Sequence, residues 1–325
     1  MNKFSASAIA HPNIAFIKYW GNANDEWRLP SNGSISMNLA ELHTTARVIF
    51  RDDLEKDELI INGQSLKGSA LERVIKFLDF IRTSGKKTFF ARVESENNFP
   101  LGAGLASSSS AFAALALAAT HALGMKLTEV QLSRVARRGS GSACRSIPGG
   151  FVEWQVGTCD EDSFAFSIAP SSHWKLVDCI AIVQEGQKKI GSSEGHKLAK
   201  TSPIQYVRIE DATRRLDLCR SAILTKDFEK LAEIVELDSN LLHAVMMTSS
   251  PPLFYWEPTS LFIMREIRQW REQGTPVCYT LDAGPNVHVL TLPEECDRVM
   301  QKLMEIPGVH RVLTAHVGDG TRLIQ

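Results

Sequence analysis

Hydrophobic and polar positions follow two different periods along this chain, and the switches between them predict its elements. "TTARVIF" (44–50), "ELIING" (58–63) and "KTFFARVES" (87–95) combine β-branched and aromatic residues over strand-length runs; the second ends in an Asn-Gly turn. "SALERVIKFLDFIRTSG" (69–85) instead places Leu71, Val74, Ile75, Leu78 and Ile81 on one face, which predicts an amphipathic helix stopping at glycine. In "LTEVQLSRVARR" (127–138), Thr128 and Gln131 stand at capping-box spacing. A loop (139–146), a strand (149–157) and a buried strand (174–186) follow. Longer helical patterns then take over at 208–224, 228–248 and 260–273, the last stopped by Gly274. Residues 277–292 predict two strands joined at a Gly-Pro turn, with a helix at 294–306 and a closing strand at 310–317. The shift from mixed to helical character predicts two units, 1–185 and 186–325, and no internal repeat or low-complexity linker separates them.

Charge adds an exclusion. Lys plus Arg number 36 and Asp plus Glu 37, so no global field recruits nucleic acid or an acidic membrane surface. An anionic ligand must be held by a few local cations and backbone donors. The six cysteines are scattered without a CxxC pair, which fits a reduced cytoplasm better than a disulfide framework or a zinc cluster. The longest apolar run, 111–119, is too short to span a bilayer.

The stretch "SENNFPLGAGLASSSSAFAALALAATHALG" (95–124) carries the first chemical signal. A glycine-bearing loop gives way to four serines and then to an alanine- and leucine-rich run. A helix N-terminus exposes unsatisfied N–H groups and about half a positive charge. Gly102 and Gly104 would let the backbone approach a phosphate, and Ser107 and Ser108 would add hydroxyl donors. The same residues also suit a serine-capped helix after a flexible loop. No Gly-Lys-Ser/Thr follows, so this is not a Walker loop.

"PLGAGLASSSSA" resembles the phosphate loop of the GHMP kinase superfamily, and the rest of the chain narrows the resemblance. "NIAFIKYWG" (13–21), "LPSNGSISM" (29–37), "SENNFP…AGLASS", "ARRGSGSACRSIPGGFVEW" (136–154) and "DAGPN" (282–286) occur in the order found in mevalonate diphosphate decarboxylases. The resemblance implies an α+β, two-lobed GHMP kinase fold: a ribosomal S5 domain-2-like N-terminal lobe, a ferredoxin-like C-terminal lobe, and the site in the cleft between them. It also implies ATP and Mg2+ as cofactors, a phosphorylated mevalonate as substrate, and a homodimer. In the family reaction ATP phosphorylates a tertiary 3-hydroxyl. That phosphate then leaves together with CO2, and an alkene forms.

By the same resemblance Asp282 matches the catalytic aspartate, Lys18 the lysine beside it, and Arg145 a group gripping the substrate carboxylate or a phosphate. Tyr19, Asn22, Ser140, Gly141, Ser142 and Ser193 match substrate contacts. Asn98, Gly102, Gly104, Ser107 and Ser108 match the ATP loop. Read without the resemblance, Asp282 is a turn aspartate, Lys18 a strand-end lysine reaching solvent, and "GSGS" a flexible turn. Arg137 and Arg138 need no more than a helix C-terminus to explain them. His11, His196, His288 and His316 read as structural or peripheral, and no metal-carboxylate cluster is evident.

Two positions depart from the family pattern. Asn22 stands where diphosphate-using members usually have a second lysine, and Ser193, followed by Glu194, stands where they often have an arginine. Losing a charge-assisted hydrogen bond to phosphate costs about 1.5–3 kcal/mol. The two departures therefore point to mevalonate 5-phosphate as substrate, giving isopentenyl phosphate. The alternative is a diphosphomevalonate decarboxylase giving isopentenyl diphosphate, with Lys188, Lys189 or Lys197 supplying the missing charge. A mevalonate 3-kinase and a non-catalytic metabolite-binding GHMP protein are further alternatives.

Overall fold

The computed structural model describes residues 3–99, 107–186 and 191–325 of the chain, which forms a mixed α+β fold. A six-stranded sheet orders Arg322–Ile324, Lys3–Ala10, Thr44–Arg51, Phe90–Asn97, Glu58–Ile61 and Gln64–Ser65. Its Glu58–Ile61 and Phe90–Asn97 strands run parallel and its other pairs antiparallel. Two helices cover one face. Ser69–Gly85 packs through Val74, Leu78 and Ile81 of the predicted stripe, with Leu71 at its edge and Phe77 buried where Ile75 was expected. Ser107–Ala122 has almost no amphipathic stripe because it is buried on nearly every side, and its alanines let it lie close against Ala8, Ala46 and Val48. Glu129–Gly139 follows, capped by the Thr128–Gln131 box.

Two four-stranded sheets build the rest of the frame. One contains Asn13–Ile17, Ser34–Asn38, Phe151–Trp154 and Ala165–Ala169; the other contains Val277–Thr280, Val287–Thr291, Val177–Ile182 and Arg311–His316. Period-2 geometry sends Val177, Cys179 and Ala181 toward helices Pro258–Glu272 and Cys296–Met304. Ile180 and Ile182 point the other way, into a core shared with Ile14, Phe16, Ile35 and helices Ala212–Thr225 and Phe228–Thr248. That shared core brings Asn13–Ile17 beside Val277–Thr280, where Thr280 Oγ1 donates to the Ala15 carbonyl across 3.4 Å. The single helix expected over 208–224 is two, Gln205–Glu210 and Ala212–Thr225. They break at Asp211, whose carboxylate takes hydrogen bonds from Arg214 and Arg215.

Candidate active site

Lys18 directly follows the Asn13–Ile17 strand, and Asp282 lies two residues beyond Val277–Thr280. Because the two strands end side by side, Lys18 Nζ donates to Asp282 Oδ1 across 2.7 Å although the residues are 264 positions apart. The Lys18 side chain is 2 % exposed and that of Asp282 26 %, so the lysine is enclosed while the carboxylate faces the cleft. The backbone here is clamped from three sides. The Lys18 amide donates to Asp238 (2.7 Å), and its carbonyl accepts from Arg208 (2.7 Å) and Asn32 (2.9 Å). Burial pushes the Lys18 ammonium below the usual lysine range, against the pull of Asp282.

Arg145 is buried in the short 3-10 turn Gly141–Ser146. Its guanidinium donates to Ser36 (3.0 Å), Ser34 (2.6 Å) and Asn13 (3.1 Å), all of them neutral. Among the described residues no carboxylate lies within ion-pair distance of it. Asn13 is fixed in turn by donating to the Ser142 carbonyl and to Ser146 Oγ. Sequence reasoning did not single out Asn13, Ser34 or Ser36. What marks them is polar residues within strands whose every residue is buried, a property that only the fold reveals.

The two glycines of the "GSGS" turn are required for close packing. A Cβ on Gly139 would sit 2.1 Å from Phe112, and one on Gly141 would sit 2.5 Å from the Tyr19 ring. This closeness brings Ser140 Oγ to 3.2 Å from Ser108 Oγ, in the first turn of the Ser107–Ala122 helix. Ser107 opens that helix; Gly102 and Gly104 lie outside the described residues. Lys18, Tyr19, Ser108, Ser142, Arg145 and Asp282 share one cavity of about 100 Å3. Tyr19 stacks on His196 at 4.1 Å and its hydroxyl donates to Asn22. Asn22 lines an adjoining cavity of about 250 Å3 together with Lys197 and Lys200. Ser193 lies in the short helix Ser192–Leu198, its side chain outside the described atoms. The structure does not bring Asn98 to either cavity. Its amide accepts from His43 N–H and donates to the Glu41 carbonyl, bracing a strand connection.

Two family models match the chain: the diphosphomevalonate decarboxylase-like N-terminal domain over residues 10–165, and the mevalonate 5-diphosphate decarboxylase C-terminal domain over 179–321. The chain belongs to the diphosphomevalonate decarboxylase family. The diphosphomevalonate decarboxylase of Candida albicans is 38% identical, with 99% of this chain and 95% of that protein covered. The human protein of that name is 36% identical over 89% of this chain and 77% of its own length. A structure of mevalonate diphosphate decarboxylase from Enterococcus faecalis superposes with a TM-score of 0.94 at 39% identity, covering both chains completely. Another structure, with the same score, identity and coverage, holds MVAPP, AMPPCP and magnesium.

These relatives overturn the expectation of mevalonate 5-phosphate and isopentenyl phosphate: they are diphosphate enzymes by name, and the solved neighbour holds MVAPP. The expectation set two missing cations above the replacements its alternative named; of those, Lys188 and Lys189 lie outside the described residues. A phosphate responds to the local field, and the cavity beside Asn22 is lined by Lys197 and Lys200. Arg28 and Arg138 line the next cavity, which Lys197 also reaches. The charge missing at position 22 is present from other elements.

Among the described residues no group of three or more His, Cys, Asp or Glu could hold a metal. One cleft-facing carboxylate beside serine hydroxyls suits a Mg2+ held mainly by phosphate oxygens and water. Among the described residues no helix is long and apolar enough to cross a membrane.

Proposed function

We propose that this chain is an ATP-dependent diphosphomevalonate decarboxylase, converting mevalonate 5-diphosphate to isopentenyl diphosphate. One observation carries the reading: a buried Lys18–Asp282 pair and an Arg145 with neutral partners open into the same cavity. Asp282 accepts the proton of the 3-hydroxyl as its oxygen attacks the γ-phosphorus of ATP and ADP leaves. Lys18 stabilises the charge that develops on that oxygen. The 3-phosphate then departs with its bonding electrons. The carboxylate carbon–carbon bond supplies the electrons of the new alkene, and CO2 is released. Arg145 holds the carboxylate in line for that cleavage. Ser107, Ser108, Ser140 and Ser142 offer hydroxyl and amide donors to phosphate oxygens, and Tyr19 with Asn22 borders the diphosphate end. Magnesium, held through the phosphates, would neutralise charge on the transferring group.

We read the six-stranded sheet as the core of the S5-like lobe and the sheet of Val277–Thr280, Val287–Thr291, Val177–Ile182 and Arg311–His316 as that of the ferredoxin-like one. The strands do not follow the expected division at 185/186, since Val177–Ile182 belongs to the second sheet and Arg322–Ile324 to the first. Six free thiols support a cytoplasmic setting, and the homodimer rests on the family resemblance. The test follows carboxyl-labelled mevalonate 5-diphosphate with ATP and magnesium. Labelled CO2 and ADP should appear in equal amounts; ADP without CO2 would make the protein a 3-kinase instead.

A further inference from the structure

The imidazole of His196 is held in one orientation and one tautomer. It stacks on Tyr19 at 4.1 Å and lies against Trp20 at 4.5 Å. Its Nδ1 accepts the Gly21 N–H at 3.0 Å. An imidazole that accepts at Nδ1 carries its proton on Nε2. Among the described residues nothing pairs with that Nε2. His196 is also the residue that lines both cavities, the one holding Lys18 and Asp282 and the one holding Asn22, Lys197 and Lys200.

The cavities' sizes make that position consequential. The catalytic cavity, about 100 Å3, is smaller than the roughly 300–1,000 Å3 usual for small-molecule sites. A substrate that has one end at Asp282 outgrows that cavity, and among the described residues His196 lines both it and the neighbouring space of about 250 Å3. We propose that His196 is a specificity-determining residue whose Nε2–H donates to the terminal phosphate of the substrate diphosphate. This inference deepens the proposed function and rests on it. The surroundings agree. Burial first, then Arg28, Arg208 and Arg145, push the imidazole down to about 3. His196 is therefore a neutral donor in a cationic field, a combination that suits an anion and spares the ring the cost of a second buried charge.

The experiment measures dissociation constants of mevalonate 5-diphosphate and mevalonate 5-phosphate by calorimetry for the wild type, His196→Phe and His196→Gln. Phenylalanine keeps the stacking and removes the donor; glutamine places an amide N–H near the position of Nε2. His196→Phe should weaken the diphosphate about 10- to 100-fold, the loss of one hydrogen bond to a charged group. The monophosphate should change less than about threefold, and His196→Gln should recover most of the loss. Unchanged diphosphate affinity in His196→Phe overturns the proposal. So does an equal loss for both ligands, which would mark a packing role, or a His196→Gln no better than His196→Phe. Wild-type CO2 release is scored separately. A wild type that binds the diphosphate without releasing CO2 defeats the decarboxylase reading while the affinities still decide on His196; one that binds neither ligand defeats both.

Discussion

Replacing Asp282 with Asn removes a negative charge 2.7 Å from a lysine side chain that is 2 % exposed, and the effects divide into a kinetic and an equilibrium part. On the proposed function the variant loses its proton acceptor, so kcat should fall about 10²- to 10⁴-fold. Substrate affinity should change little, because Arg145, Tyr19 and the serine turns are untouched. The equilibrium part follows from the stranded ammonium. Removing one partner of a buried pair costs about 3–5 kcal/mol. Asp282 is partly exposed and Asp238 still attracts Lys18, so the expected loss near pH 7 is about 1–3 kcal/mol. Burial already holds Lys18 below its unfolded value of 10.5, and without Asp282 it falls further. Between the folded and unfolded values the unfolded chain binds the extra proton, so stability rises with pH there by about 1.4 kcal/mol per unit. The variant widens that window downward. Its deficit should therefore be largest near pH 7 and shrink toward pH 10. Urea midpoints of both proteins across that range, with labelled-CO2 kinetics, test the chain of reasoning. A deficit that stays constant with pH, or a kcat within about tenfold of wild type, refutes it.

Arg145→Lys keeps the charge but loses the fork that spans Ser34, Ser36 and Asn13; kcat/KM should drop about tenfold to a few hundredfold, read from steady-state kinetics. Gly141→Ala would drive a methyl into the Tyr19 ring. Overpacking of that kind costs about 1–3 kcal/mol, and the displaced tyrosine should raise KM for mevalonate 5-diphosphate more than it lowers kcat. His196 and His243 are both pushed down to about 3, chiefly by burial. As pH falls below their unfolded value of 6.5, the unfolded chain takes up protons that the folded form refuses. Stability should decline by up to about 1.4 kcal/mol per pH unit for each histidine. Replacing His243 with Gln should flatten that slope by one proton in urea titrations between about pH 7 and pH 5.

What could be read in the sequence depended on whether a local period survived burial. Ser69–Gly85 keeps one polar face, and its extent was evident from five apolar positions. Asn13–Ile17 and Ser34–Asn38 are buried throughout, so no alternation with solvent marked them as strands. The predicted helix over 208–224 is divided at Asp211, where the backbone departs locally from helical ψ, a change that periodicity does not encode. At the site, family motifs pointed to Lys18, Asp282 and Arg145, but their meeting depends on a core shared by two sheets and two helices. Asn98 sat in a family motif, yet its amide is committed to Glu41 and His43. The substrate was misjudged for a related reason. The losses at residues 22 and 193 were given more weight than the replacement the alternative named, Lys197, which with Lys200 lines the cavity beside Asn22.

Among the described residues, the buried arginines differ in how their charge is met, and the difference bears on the anion-holding role proposed for Arg145. Arg82 is paired with Asp57, Arg137 with Asp160, and Arg215 with Asp238, while Arg208 lies 3.7 Å from Asp238. Each carries its countercharge, which offsets the cost of burying a guanidinium. Arg145 is as deeply buried but is held by two hydroxyls and an amide oxygen. Those partners take one hydrogen bond from each of its three nitrogens and bring no countercharge into contact with it. A stabilising role would have favoured a carboxylate there, and a carboxylate would have cancelled the field that draws in a substrate anion. In a chain with 36 cationic and 37 acidic side chains, attraction for an anion has to be local. Neutral ligation of one buried arginine, beside a lysine shared with Asp282, provides it where the proposed function needs a carboxylate to be held.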